Sequence, residues 1–193
     1  MAFSLTIVKL ESALELKGCP VCRLEQDAAE ESIDAFLWEN VNDPIVRKPI
    51  NLAYGFCPHH TQMLAFKETM SSGPMLGINM IYELLAKNVS QELKNLERNQ
   101  PTHHLIHTIL TKIGIRLVPR PKPGILNPKG KCPVCILTEQ TGRNILATLF
   151  EELNTLQGKI YETYPLSNGI CIHHLRTGLN QYGEKYPAAK NLL

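Results

Sequence analysis

A chain of 193 residues, 44% hydrophobic and 20% charged, has the composition of a globular protein large enough for one substantial core or two small ones. Its formal net charge of +2 is too small to point to nucleic acid by itself, and no stretch approaches the roughly 18 consecutive apolar residues of a membrane span. The first ten residues carry Ser4, Thr6 and Lys9 and lack a basic start ahead of an apolar core, so they do not read as a secretory leader. A cytoplasmic location with reduced cysteines is the expectation that follows.

In chain order the sequence predicts helices throughout. From Ser4 to Leu16 the apolar positions Leu5, Val8, Leu10, Leu14 and Leu16 form an imperfect helical pattern that stops at Gly18, a residue suited to the position just past a helix end. A long helix is expected from Arg23, with Leu24, Ala28, Ile33, Phe36, Leu37 and Val41 inward and Glu25, Asp27, Glu30, Glu31 and Asp34 in solvent. Asp43 followed by Pro44 reads as a helix cap and first position, opening a shorter helix that reaches Tyr54 and ends at Gly55, with Pro49 a possible interruption. Further helices are expected over Thr61 to Thr69 and, after Ser71-Ser72-Gly73-Pro74, to about Asn99 with the stripe Leu76, Met80, Leu84 or Ile81, Leu85, Val89, Leu93 and Leu96. A short helix after Pro101 carries Leu105, Ile106, Ile109, Leu110 and Ile113.

Residues 114–131 differ in kind: four prolines, five basic residues and no acid predict an extended linker of polyproline character. Beyond it, Ile145, Leu146, Leu149, Phe150, Leu153 and Leu156 make the clearest apolar stripe, followed by a short helix from Gly158 to Tyr164, a turn from Pro165 to Gly169, and a helix from Ile172 to Tyr182. Phe36, Trp38 and Phe150 lie at core spacing. No segment alternates with the period of two that marks a strand, so the fold class is all-α.

Two motifs punctuate this pattern, and each occurs twice. Cys19-Pro20-Val21-Cys22 recurs 113 positions on as Cys132-Pro133-Val134-Cys135. Gly55-Phe56-Cys57-Pro58-His59-His60 is matched by Gly169-Ile170-Cys171-Ile172-His173-His174. Cys22 to Cys57 spans 35 positions and Cys135 to Cys171 spans 36, and the two copies use all six cysteines of the chain. The repeat predicts two related units in tandem: residues 1–113 with connecting helices, the basic proline-rich linker 114–131, and residues 132–193. No counterpart of the Leu76 to Leu96 stripe follows the second copy.

Cys-x2-Cys turns two sulfurs toward one ion, and Cys-x2-His at a helix start supplies a second convergent pair whose thiolate the helix N-terminus favours. Four such donors meet the tetrahedral demand of zinc. The expected sites are Cys19, Cys22, Cys57 and His60 in one unit and Cys132, Cys135, Cys171 and His174 in the other, two Zn2+ per chain, each stapling the base of a helical hairpin. His59 and His173 are alternative ligands. A closed four-donor site leaves no place for water or substrate, which makes it structural.

Other readings of the cysteines are an iron–sulfur cluster on three cysteines and a histidine, and a redox dithiol, which expects a βαβ context this sequence lacks. On a helix His103 and His107 share a face at i,i+4 and His104 and His107 nearly do at i,i+3, so the three could form a third metal or pH-sensitive site, or simply an exposed helix start capped by Thr102. The basic linker has no interleaved aromatic residue for stacking bases, so nucleic-acid binding has weak support. Neither a Gly-x-Ser-x-Gly elbow, a phosphate loop nor a dinucleotide fingerprint is present.

The order Cys-Pro-Val-Cys, some 35 residues, then Gly-x-Cys-x-x-His, present twice, resembles a family of uncharacterised bacterial and archaeal helical proteins with paired motifs of this type. The resemblance implies two metal-binding units and brings no activity with it. The expected function is that of a two-zinc helical adaptor, accessory or regulatory protein that serves a protein partner, with an iron–sulfur or thiol-based redox protein as the alternative.

Overall fold

A computed structural model of the chain describes residues 5–70, 76–98 and 126–193. These fold into helices and turns, with no strand among the described residues. The elements are α1 (Leu5–Leu14), α2 (Pro20–Ala35) running into a π-helical turn (Phe36–Asn40), α3 (Pro44–Leu52), α4 (Pro58–Met70), α5 (Leu76–Arg98), α6 (Pro133–Asn154), α7 (Lys159–Thr163) with a 3-10 turn (Tyr164–Leu166), α8 (Ile172–Tyr182) and α9 (Pro187–Leu192). His103, His104 and His107, the short helix after Pro101 and most of the linker lie outside the described residues.

Five of the described helices start at a proline. Pro20, Pro44, Pro58, Pro133 and Pro187 each open a helix, where the missing N–H costs nothing and the fixed φ suits the first turn. Asp43 caps α3 as expected, its carboxylate accepting from Ile45 N–H at 2.7 Å. Pro49 sits inside α3 without ending it. Tyr54 and Gly55 both have positive φ, 55° and 107°, and turn the chain sharply into Cys57. The buried Glu68 of α4 stands at the start of α5, accepting from Gly77 N–H at 2.6 Å and Ile78 N–H at 3.0 Å.

Long α2 and α6 run antiparallel along each other, and two core clusters form at the two ends of their contact. Val21 and Leu24 from the start of α2 pack with Ile145, Leu146, Leu149, Phe150 and Leu153 from the later turns of α6, joined by Leu10, Ala13 and Leu14 of α1, Ile160 and Ala189. Ala29 and Ile33 from the end of α2 and Phe36 of the π-turn pack with Cys132 and Val134 at the start of α6, joined by Ile50, Leu64, Ile81 and Leu85. Each fully buried Leu, Ile or Phe contributes about 1.5–3 kcal/mol relative to an exposed one. Neither core belongs to one half of the chain.

Three sequence expectations change here. Helix α2 gives way to the π-turn at Phe36. Phe36 stays buried while Trp38, expected in the core, is 78% exposed, because a two-residue step turns it about 200° round the helix to the opposite face. In α5 the inward face is Gly77, Ile81 and Leu85, and Leu76, Met80 and Leu93 point outward. In α1 the buried face is Leu10, Ala13 and Leu14, leaving Leu5 and Val8 in solvent. Helix α9 was not expected; Ala188 N–H donates to Asn154 Oδ1 at 3.1 Å and Ala189 is buried against the first core.

Candidate metal centres

All eight sequence-derived ligands come together, but in an exchanged pairing. Cys19 and Cys22 meet Cys171 and His174; Cys57 and His60 meet Cys132 and Cys135. The expected fours, Cys19/Cys22/Cys57/His60 and Cys132/Cys135/Cys171/His174, are thereby corrected. Helix lengths give the reason. The outward leg from Pro20 to Asn40 is about 30 Å long, whereas the return leg α3, with nine residues, recovers only about 13 Å. Cys57 is therefore left at the far end of α2, beside the start of antiparallel α6. In the second copy the 22-residue α6 climbs about 33 Å and the short α7 cannot bring Cys171 back, so it arrives beside Cys19 and Cys22.

Local structure places each donor in the first turn of a helix. Cys19, Cys132 and Cys171 occupy the N-cap positions of α2, α6 and α8, and Cys22, Cys135 and His174 follow three residues later on the same face. Cys57 directly precedes α4, whose first turn carries His60. Two helix N-termini thus converge on each cluster, and their partial positive charge favours thiolate. Hydrogen bonds tie the approaching loops together: Gly18 N–H donates to Asn168 Oδ1 at 2.9 Å at the first cluster, and Lys129 N–H to Leu52 O at 2.7 Å near the second.

The donor spacing is that of a single small ion. At the first cluster His174 Nδ1 lies 3.5, 3.4 and 3.3 Å from the sulfurs of Cys19, Cys22 and Cys171, and Cys22 Sγ to Cys171 Sγ is 3.7 Å. At the second, His60 Nδ1 lies 3.2, 3.5 and 3.4 Å from Cys57, Cys132 and Cys135, and Cys135 Sγ to Cys57 Sγ is 3.6 Å. A tetrahedron with metal–sulfur bonds of about 2.3 Å and metal–nitrogen bonds of about 2.0–2.1 Å has edges of about 3.8 Å between sulfurs and about 3.5 Å from sulfur to nitrogen. All four donor atoms of each cluster fall within 4.8 Å of one another. The residues present fit one metal ion per cluster.

Of each histidine pair it is the later residue that turns inward. His60 and His174 are both 6% exposed, while His59 and His173 stand in solvent, their rings 5.1 Å from those neighbours. The protonation pattern is equally regular. Burial, reinforced by the neighbouring thiols, pushes Cys22 and Cys135 up to about 12. Burial also opposes ionisation of Cys57 and Cys171, but the backbone N–H groups of the following histidines and the adjacent thiols outweigh it and hold both below the ordinary thiol value. Burial, together with His59, lowers His60. Crowded thiols that resist losing their last protons are what a divalent cation relieves.

One residue of the first centre was missed in the sequence. Glu25, expected on a solvated face, reaches His174 Nε2 with Oε2 at 3.2 Å, behind the nitrogen that faces the sulfurs. Opposite it on α6 is Gly142, where an added Cβ would fall on Glu25 Oε1. A spacing of three from Cys22 was the available signal, since it puts Glu25 on the face of α2 that carries Cys19 and Cys22.

No helix of the described residues is long and apolar enough to cross a membrane. No curated protein and no solved structure shows significant similarity to the chain. The model of a family of unknown function (DUF6062) matches residues 1–192, and the chain belongs to that family.

Proposed function

We propose that each cluster binds one Zn2+ as a structural Cys3His centre, and that the protein is a non-enzymatic helical adaptor or accessory subunit. The observation that carries this reading is the set of donor distances, which leaves room for a single ion and supplies four protein donors to it. Three thiolates and an imidazole suit zinc by softness and by tetrahedral preference. An iron–sulfur cluster interposes several irons and sulfides between its cysteines, and donors that all lie within 4.8 Å of one another do not accommodate that. With every position filled by protein, the ion would fix α8 against α2 and α4 against α6.

In this reading the motif-bearing segments 1–113 and 132–193 are related halves, joined by the basic 114–131, whose ligands are exchanged so that metal locks one half to the other. Thiolate ligation fits a reducing compartment, the cytoplasm. A protein partner would cover apolar side chains now in solvent, among them Trp38, Ile45, Leu166 and Ile172. Elemental analysis of protein purified without oxygen tests the metal. Two zinc per chain and no visible absorbance is the expected result; iron with labile sulfide overturns it.

A further inference from the structure

The two centres share a ligand set but differ immediately behind it. At the first, Glu25 Oε2 is 3.2 Å from His174 Nε2, with the His174 side chain 7% exposed and that of Glu25 26% exposed. A buried imidazole whose outer nitrogen meets a carboxylate is held in one tautomer and one ring orientation, and its inner nitrogen becomes a better donor. Space for the carboxylate is made by Gly142 on the facing helix, since a Cβ there would overlap Glu25 Oε1. At the second centre the position corresponding to Glu25, 113 residues on, is Thr138. Its hydroxyl donates to Cys135 O at 3.1 Å, within its own helix. The position corresponding to Gly142 is the buried Ala29. Among the described residues no carboxylate lies within ion-pair distance of His60, whose contacts there are those of Nδ1 with the three sulfurs.

We infer that the centres are unequal: Glu25 is a positioning residue for His174, and the Cys19–Cys22–Cys171–His174 centre retains its ion when the Cys57–His60–Cys132–Cys135 centre has already given its ion up. The inference rests on the metal-binding reading above. It makes the second centre the exchangeable one, at which metal supply is sensed as a loosening of α4 against α6, while the first keeps α8 on α2.

The experiment is chelator challenge of the full chain loaded with zinc, following release with a colorimetric zinc indicator. Loading to two zinc per chain is checked first, so that failure of the metal reading is recognised separately. Release is expected in two phases of equal amplitude, with rates at least about tenfold apart, the scale on which such outer partners act. In Glu25→Ala the slow phase accelerates toward the fast one and the fast phase stays unchanged. Glu25→Gln, which keeps an acceptor and the side-chain volume, lies between, and it serves if the alanine variant folds poorly. Imidazole NMR supplies a readout that a purely structural role would not move: the slowly exchanging Nε2–H of His174 is lost in Glu25→Ala, and that of His60 does not change. A single release phase in the unsubstituted protein, or a Glu25 substitution that accelerates both phases or neither, overturns the inference.

Discussion

Replacing Cys171 by serine removes one sulfur from the first centre and distinguishes the exchanged pairing from a tandem one. With free zinc a thousandfold above its dissociation constant, an occupied site adds about 4 kcal/mol to stability. For a chain of this size each kcal/mol moves the melting temperature by about 2–4 °C, so losing one centre lowers it by about 8–16 °C. The location of the loss is the stronger readout. In the exchanged pairing Cys171 would share an ion with Cys19 and Cys22, so in Cys171→Ser the first turn of α2 and the whole of α8 should open together. The starts of α4 and α6, held by Cys57, His60, Cys132 and Cys135, keep their protection. Hydrogen exchange read by mass spectrometry should show amides of Val21–Glu25 and Ile172–Tyr182 exchanging up to about a thousandfold faster, the same 4 kcal/mol expressed as a ratio. Loss of protection at Val134–Thr138 with retention at Val21–Glu25 would refute the pairing.

Cys57→Ser should give the mirror result, releasing one metal and opening the first turns of α4 and α6 while α8 stays protected; unchanged metal content would contradict it. Gly178 of α8 faces the Phe150 ring, and an added Cβ would meet its Cε2 at 2.5 Å. Gly178→Ala should therefore cost about 1–3 kcal/mol through overpacking, less up to about 1 kcal/mol of helix propensity, read from urea midpoints; a net gain in stability argues against that contact. Glu68→Ala leaves Gly77 N–H and Ile78 N–H at the start of α5 without their acceptor and should cost about 1–2 kcal/mol in the same assay. The pH profile of metal-free protein follows from the shifted groups. Lowered His60, Cys57 and Cys171 contribute stability that is present above their unfolded values and lost as pH falls through the folded ones. Cys22 and Cys135, raised from 9.0 to about 12, contribute stability that is lost as pH climbs between those values. Urea resistance should rise to an optimum near pH 9.0 and fall beyond it, and bound zinc should abolish the alkaline fall. A midpoint that is flat above pH 9.0 without metal would contradict the thiol assignment.

The eight donors that cluster were legible as candidates in the sequence because their chemistry is local. Cys-x2-Cys and Cys-x2-His each fix two donors within one helical turn, so the spacing alone identifies them, and the inward turn of His60 and His174 follows from helix geometry. Which pair joins which was not legible from spacing, because both copies offer the same donors at the same interval. The deciding facts were element lengths: a return leg less than half as long as the outward one cannot close a hairpin. Glu25 escaped for a related reason. Its partner is 149 residues away, and a glutamate in a run of acids is indistinguishable from a solvated one until α6 is laid across it at Gly142. The exposure of Trp38 follows from ordinary helical periodicity, since two positions beyond inward Phe36 is about 200° round the helix, and it was the core expectation for Trp38 that ignored this.

The exchanged pairing is tested most directly by cadmium substitution, with heteronuclear correlations from each metal nucleus to the cysteine β-protons and histidine ring protons around it. Two cadmium signals are expected, one connected to Cys19, Cys22, Cys171 and His174 and the other to Cys57, His60, Cys132 and Cys135. A signal that connects Cys19 and Cys22 with Cys57 and His60 would contradict it.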